Sequence, residues 1–278
     1  MPPPSKRHKE EFIGNDPERW KDPAFVLEQV KSNDGSMLWA SETLRSDEDF
    51  VRRALQHSKG SVLSSVASAL QDNKPLALAA VRRHGHELDH VSERLKLDRD
   101  VVLAAVTQCG WVLCYADPSF LDDHEVVLVA VQHDTSPRGD ALKYSSPRLR
   151  DDKDVVLAAV RQNAWSLQHA SMELRCDLET VLAAVERRGD ALEFTSYRLQ
   201  NHRNVVLTAV TQQGTALKYA SDALKNDPEV VLTAVARDFG NVLRYASAEL
   251  KADKEFKRRA KAAKPDLQNM TIIVPNHT

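Results

Sequence analysis

Asp98-Arg99-Asp100-Val101-Val102-Leu103-Ala104-Ala105-Val106, with the segment from Gly110 to Phe120 that follows it, is the stretch whose reading decides the fold. An Asp opens it, an aliphatic run closes on Val, and a Gly, a Leu, an aromatic and a second anchor follow. Outward in both directions the same order returns about every 25 residues from Asp22 to the C-terminal end. The aliphatic closing the run falls at Val30, Leu55, Val81, Val106, Val131, Val160, Val185, Val210 and Val235, in steps of 25, 26, 25, 25, 29, 25, 25 and 25. The second anchor falls at Leu44, Leu70, Leu95, Phe120, Leu149, Leu174, Leu199, Leu224 and Leu250. Two ladders with one period mark a tandem repeat.

Within a unit the residue types predict helix. An Asp carboxylate can accept the free amides of a first helical turn. Asp22-Pro23 and Asp227-Pro228-Glu229 add proline at the first helical position and an acid near the positive helix end. Val-Val-Leu also has strand propensity, but Ala-Ala in the middle, the caps and the Gly stop favour helix. The run is apolar nearly all round, so it must be buried on several sides. Gly35, Gly60, Gly85, Gly110, Gly139, Gly189, Gly214 and Gly240 sit just past the first helix, where a left-handed C-terminal turn is expected; Ala164 breaks the series. A second, shorter helix such as Gly139–Ser145 follows, and it has ended before Pro118 and Pro147. The expected fold is all-α: an α-solenoid of about nine 25-residue two-helix repeats plus a terminal basic helix, over residues 22–264. A polar lead, 1–21, precedes it, with a short helical turn over Glu18–Lys21, and an extended tail, 265–278, follows. His133 to Arg138 add four residues inside the fifth unit, which reads as a surface insertion.

Units such as Asp152–Val160 and Gly214–Leu224 closely resemble domain of unknown function 4116, a family built from tandem copies of this unit. The second unit departs most, since Ser61–Leu70 lacks the aromatic. The resemblance implies the repeat fold over about residues 22–260 and carries no activity, substrate or catalytic residue with it.

The bulk numbers exclude some classes. The chain has 278 residues and a formal net charge of −2, so no global field draws it to nucleic acid or anionic lipid. Cys109, Cys114 and Cys176 form no disulfide framework and have no metal-site spacing, which fits a reducing compartment. No apolar run approaches the length that spans a bilayer, and Met1–Lys9 has no apolar core behind its charges. The expected location is the cytoplasm, with the nucleus as the alternative.

Equivalent positions of stacked repeats form stripes, so candidate sites are read as rows. Two places after the helix-closing aliphatic stand His57, Arg83, Gln108, His133, Gln162, Arg187, Gln212 and Arg237, with Ser32 at the start; no acid enters this row. It reads either as a partner-binding ridge or as helix C-termini that favour cations through their dipole. The aromatic row, Trp39, His90, Tyr115, Tyr144, His169, Phe194, Tyr219 and Tyr245, reads as packing between repeats rather than as a base-stacking platform. Lys254, Lys257, Arg258, Arg259 and Lys261 make the C-terminal helix the one concentrated basic element, either a solubilising cap or a contact for acidic partners. His84, His86 and His90 lack a completing ligand set, so no metal and no cofactor is expected. Arg138-Gly139-Asp140 and Arg188-Gly189-Asp190 fall on the repeat's own turn, and Asp238-Phe239-Gly240 has no companion phosphate loop. No catalytic residue is identified. The expected function is a non-enzymatic protein–protein interaction or scaffold module; the alternative is RNA or single-stranded nucleic-acid binding along the basic ridge.

Overall fold

The computed structural model describes residues 17–32, 35–238 and 242–263. Most of the polar lead, Gly240, Lys264 and the 265–278 tail lie outside these residues. Each of the nine repeats opens on a helix of nine or ten residues. In order these are α1 (Pro23–Ser32), α2 (Glu48–His57), α3 (Lys74–Arg83), α4 (Arg99–Gln108), α5 (His124–Gln132), α6 (Lys153–Gln162), α7 (Leu178–Arg187), α8 (Arg203–Gln212) and α9 (Pro228–Arg237). A terminal helix, α10 (Lys254–Ala262), occupies the place of a tenth. The Asp caps act as expected: Asp47, Asp98, Asp123, Asp152, Asp177, Asp227 and Asp253 each accept a backbone amide of the following turn. Ahead of the array, Pro17–Lys21 form a 3-10 turn whose Trp20 is buried, edge-on to Phe25 at 5.3 Å.

Each repeat holds one more element than expected. After the first helix comes a tight 3-10 helix, such as Gly110–Tyr115 or Gly214–Tyr219; the second anchor then sits in a separate turn of helix, such as Glu93–Lys96 or Asp222–Lys225. A Ser hydroxyl caps that last turn, as Ser92 does for the Leu95 amide and Ser221 for Leu224. The serine is a helix-start signal too short in reach to stand out beside the aliphatic run.

The glycines serve another purpose than the left-handed turn. Among the described residues only Gly35 and Gly139 have positive φ. The residues that end α3, α4, α6, α7 and α8 are extended, with φ between −139° and −157°. Glycine follows because the next repeat lies against it. A Cβ on Gly85 would stand 2.7 Å from the carbonyl oxygen of Ala105, and Gly110, Gly189 and Gly214 meet the same obstacle at Ala130, Ala209 and Ala234. Those alanines are fully buried. Gly opposite Ala thus sets the spacing between repeats. Ala164 enters its 3-10 helix from the same extended backbone, at Asn163 φ −145° and ψ 111°, so this seam accommodates a methyl group.

At each seam a backbone hydrogen bond runs to the last helical turn of the repeat before, and Gly110 N to His133 O (2.9 Å) adds a second between the fourth and fifth repeats. Examples of the first are Ser92 N to Gln71 O (3.0 Å), Ser146 N to Leu121 O (2.7 Å), Ser171 N to Arg150 O (2.8 Å) and Ser221 N to Gln200 O (3.0 Å). Below this bond the core is a column of Val, Leu and Ala. Leu63, Leu88, Leu113, Leu167, Leu192 and Leu217, each in the 3-10 helix that follows the first helix of its repeat, are fully buried.

The array divides into two compact units at the insertion. The first runs to Ser136 and includes Lys143–Leu149; the second comprises Pro137–Leu142 and the chain from Arg150 onward. The insertion is not a loose loop. Asp134 and Ser136 are buried, the Asp134 carboxylate accepts the Ser136 amide at 2.8 Å, and the second element of this repeat is α-helical, Asp140–Tyr144.

Candidate interaction surface

The polar row His57, Arg83, Gln108, His133, Gln162, Arg187, Gln212 and Arg237 lies on the last turns of α2 to α9 and at the residue after α5, with every side chain exposed. Two of its arginines bond the backbone. Arg83 donates through Nε to the carbonyl of Ser58 (3.2 Å), and Arg237 donates through Nε to Gln212 (3.2 Å). Each thereby satisfies a carbonyl at the C-terminal end of the preceding helix, where the dipole favours a cation. His133 contacts the Val129 carbonyl of its own helix at 3.0 Å. In the second unit, Gln162 and Arg187 border a shallow cavity of about 290 Å³ with Asn163 and Arg188.

The aromatic row is half-buried throughout its length. A cation from the preceding residue lies over three of its rings: Lys143 over Tyr144 at 5.3 Å, Lys218 over Tyr219 at 4.3 Å and Arg244 over Tyr245 at 4.7 Å. Tyr219 also donates to Glu193 at 2.6 Å. His84 and His86 are neighbours, with ring centroids 5.6 Å apart, but no group of three or more metal-ligating side chains occurs among the described residues. Arg188 pairs with Asp190 at 2.9 Å and lies over Trp165, so that tripeptide is folded into its own turn.

Two rows went unread in the sequence. In the first, the base at the first position of one helix clamps the acids that start the next. Lys74 pairs with Asp98 (2.7 Å) and Asp100 (2.8 Å). Arg99 pairs with Asp123 and Glu125, Lys153 with Asp177 (3.0 Å) and Glu179 (2.8 Å), and Arg203 with Asp227 (3.1 Å). Burial pushes the Asp98 carboxyl up, but Lys74 and the amides of Val101 and Asp100 outweigh it and hold it below the ordinary carboxylate value. Asp123, Asp177 and Asp227 follow the same balance. In the second row, a Ser that starts the short turn donates to an Asp or Asn of the repeat before: Ser92 to Asp72, Ser146 to Asp122, Ser171 to Asp151, and Ser221 to Asn201 at 2.6 Å. These partners lie 20 to 26 residues apart, a separation that means contact only once the stacking is known.

Both rows are interrupted together at repeat seven, whereas Pro228 interrupts the first alone and Leu97 the second alone. Cys176 stands where Asp72, Asp122 and Asp151 stand elsewhere, and the buried Ser196 hydroxyl has no partner. Leu178 takes the place of the clamping base, while the cap one repeat later is His202 instead of Asp, with no side-chain cap bond and its buried Nδ1 unpartnered. The same edge carries large exposed apolar side chains: Met172 is 68% exposed, Tyr197 73% and Leu178 41%. Two bonds tie these turns together, Ser196 N to Arg175 O at 3.1 Å and Arg198 Nη2 to Cys176 O at 3.5 Å. Met172 and Tyr197 are equivalent positions of successive repeats. Polar bonding is given up along one edge, and apolar surface is offered there.

Among the described residues no helix is long and apolar enough to cross a membrane. No curated protein and no solved structure matches the chain. The family model of a domain of unknown function (DUF4116) matches residues 73–121, 123–175, 177–225 and 202–239. Each of the first three matches takes in two of the 25-residue units, and the first two repeats lie outside the matched stretch. The matches run in tandem over more than half of the sequence, and the chain belongs to the DUF4116 family.

Proposed function

We propose that the chain is a non-enzymatic interaction module that holds a protein partner against the edge formed by repeats six to eight. The observation that carries this reading is the coincidence of lost seam bonds with exposed Met172, Leu178 and Tyr197. Tyr, Met and neighbouring Arg side chains are the types that dominate protein–protein contacts, and Arg175 and Arg198 flank them here. Crosslinking mass spectrometry in native cells tests it. Crosslinks to a stoichiometric partner should concentrate on residues 172–198, and Met172→Glu with Tyr197→Glu should remove that partner while leaving the melting temperature unchanged. Retention of the partner by the double variant would sink the proposal.

The cations lying over Tyr144, Tyr219 and Tyr245 support a second reading, single-stranded nucleic acid along the ridge. It competes with what those groups already do: the cations cover ring faces that a base would need, and Arg83 and Arg237 already bond carbonyls. Salt-dependent RNA binding that disappears on changing Arg83, Arg187 and Arg237 to Glu would favour it.

A further inference from the structure

The C-terminal end of the second unit carries a cleft over a leucine whose counterparts in the inner repeats are buried. Leu243 is the counterpart of Leu217, Leu192 and Leu167, all fully buried, yet Leu243 is only half-covered. It lines a cavity of about 370 Å³ with Phe256 and Ala260, and the remaining walls are Lys251, Lys257 and Lys261. In register, Lys257 and Lys261 replace Val231 and Val235, both fully buried on α9. The apolar floor is therefore kept, while the upper wall has become cationic.

The charges show what this cleft lacks. On α10, Arg258 pairs with Glu255 at 2.6 Å and Arg259 with Glu229 at 2.6 Å. Lys257 and Lys261, the two of α10 that wall the cleft, have no acid among the described residues. Lys254 has none either, although it holds the position from which Lys74, Arg99, Lys153 and Arg203 each clamp the acids of a following repeat.

From this we propose that the cleft is a docking site for an acidic peptide segment of a protein partner, one that inserts a leucine or similar aliphatic side chain between Leu243 and Phe256. The apolar floor takes the side chain, as it does at every inner seam. Flanking carboxylates then meet Lys257, Lys261 and Lys254. The volume lies at the low end of ligand cavities, which suits one anchored turn. The proposal rests on the protein-partner reading for the class of ligand and is independent of the edge at repeats six to eight.

The test is fluorescence anisotropy of the full-length chain with a labelled peptide of residues 189–196. That stretch is the array's own acidic, leucine-bearing second element, Gly-Asp-Ala-Leu-Glu-Phe-Thr-Ser. Saturable binding is expected, weakened at least tenfold by Lys257→Glu with Lys261→Glu and equally by Leu192→Ala in the peptide. Both lysines are exposed, so the double variant keeps its melting temperature. No saturable binding up to about 1 mM peptide, or binding indifferent to the lysine changes, overturns the proposal. If only a chain ending at Ala263 binds, the protein's own following residues fill the cleft and the partner is excluded. Retained binding in the Met172→Glu, Tyr197→Glu variant keeps the two sites distinguishable.

Discussion

The carboxylate of Glu87 caps the amide of Val62, 25 residues earlier, at 2.5 Å across the seam between the second and third repeats. It also accepts the Leu63 amide at 3.1 Å and the Ser61 hydroxyl at 2.9 Å, and its side chain is fully buried. Other repeats place Val112, Ala141, Ser166, Ala191 or Ala216 there. Glu87→Ala should cost about 2–3 kcal/mol, because two buried amides lose their acceptor, and thermal or urea unfolding measures it.

Burial pushes the Glu87 carboxyl up, although the bonds from Val62, Ser61 and Leu63 oppose the shift. A folded-state value above the unfolded one means that the native state binds the extra proton, so stability falls as pH rises from about 4.5 through the folded value. Glu87→Gln lacks that titration. Its stability relative to wild type should therefore climb across this window and stay level below it, and urea titrations at several pH values would reveal a flat difference if the burial were unimportant.

The clamped aspartates have the opposite sign. Asp98, Asp123, Asp177 and Asp227 are held below 3.8, so their contribution is present above that value and is lost as pH falls through their folded values. Circular dichroism should show cooperative acid unfolding that begins below about pH 4.

Gly110→Ala drives a methyl group into the backbone of Ala130. Overpacking of this kind costs about 1–3 kcal/mol, whereas Gly35→Ala meets no neighbour and is resisted only by its φ of +93°. A fall in melting temperature for Gly110→Ala no larger than for an exposed helical substitution would show that the seam can open.

Cys176→Asp should supply the missing partner of Ser196 and stabilise the chain by about 1 kcal/mol. Leu178→Lys with His202→Asp should rebuild the absent clamp for at most about 1 kcal/mol. The useful comparison is with partner binding: both repairs restore the ordinary repeat and should weaken the interaction at that edge.

The period, the Asp caps and the helical runs were all legible, because each is a local pattern that recurs in register. The glycine position was legible and its reason was not: a left-handed turn and a close approach both exclude a Cβ, and only the position of Ala105 or Ala130 tells them apart. The ridge residues are exposed where the sequence puts them, but the bonds Arg83 and Arg237 make to neighbouring helices depend on stacking. Lys153 and Asp177 look unrelated in the chain for the same reason. Once position n is known to lie beside position n + 25, the gaps at Cys176, Leu178 and His202 stand out against their equivalents.

The backbone bond at every seam, from Ser92 to Gln71 and from Ser221 to Gln200, makes no reference to side chains beyond the repeat. A gene segment encoding whole repeats can thus be duplicated or excised between such bonds, and the new junction finds the same donor, the same acceptor and the same Gly–Ala spacing. Array length is free to vary by unequal recombination while each joint stays chemically unchanged, and individual repeats such as the seventh are free to diverge.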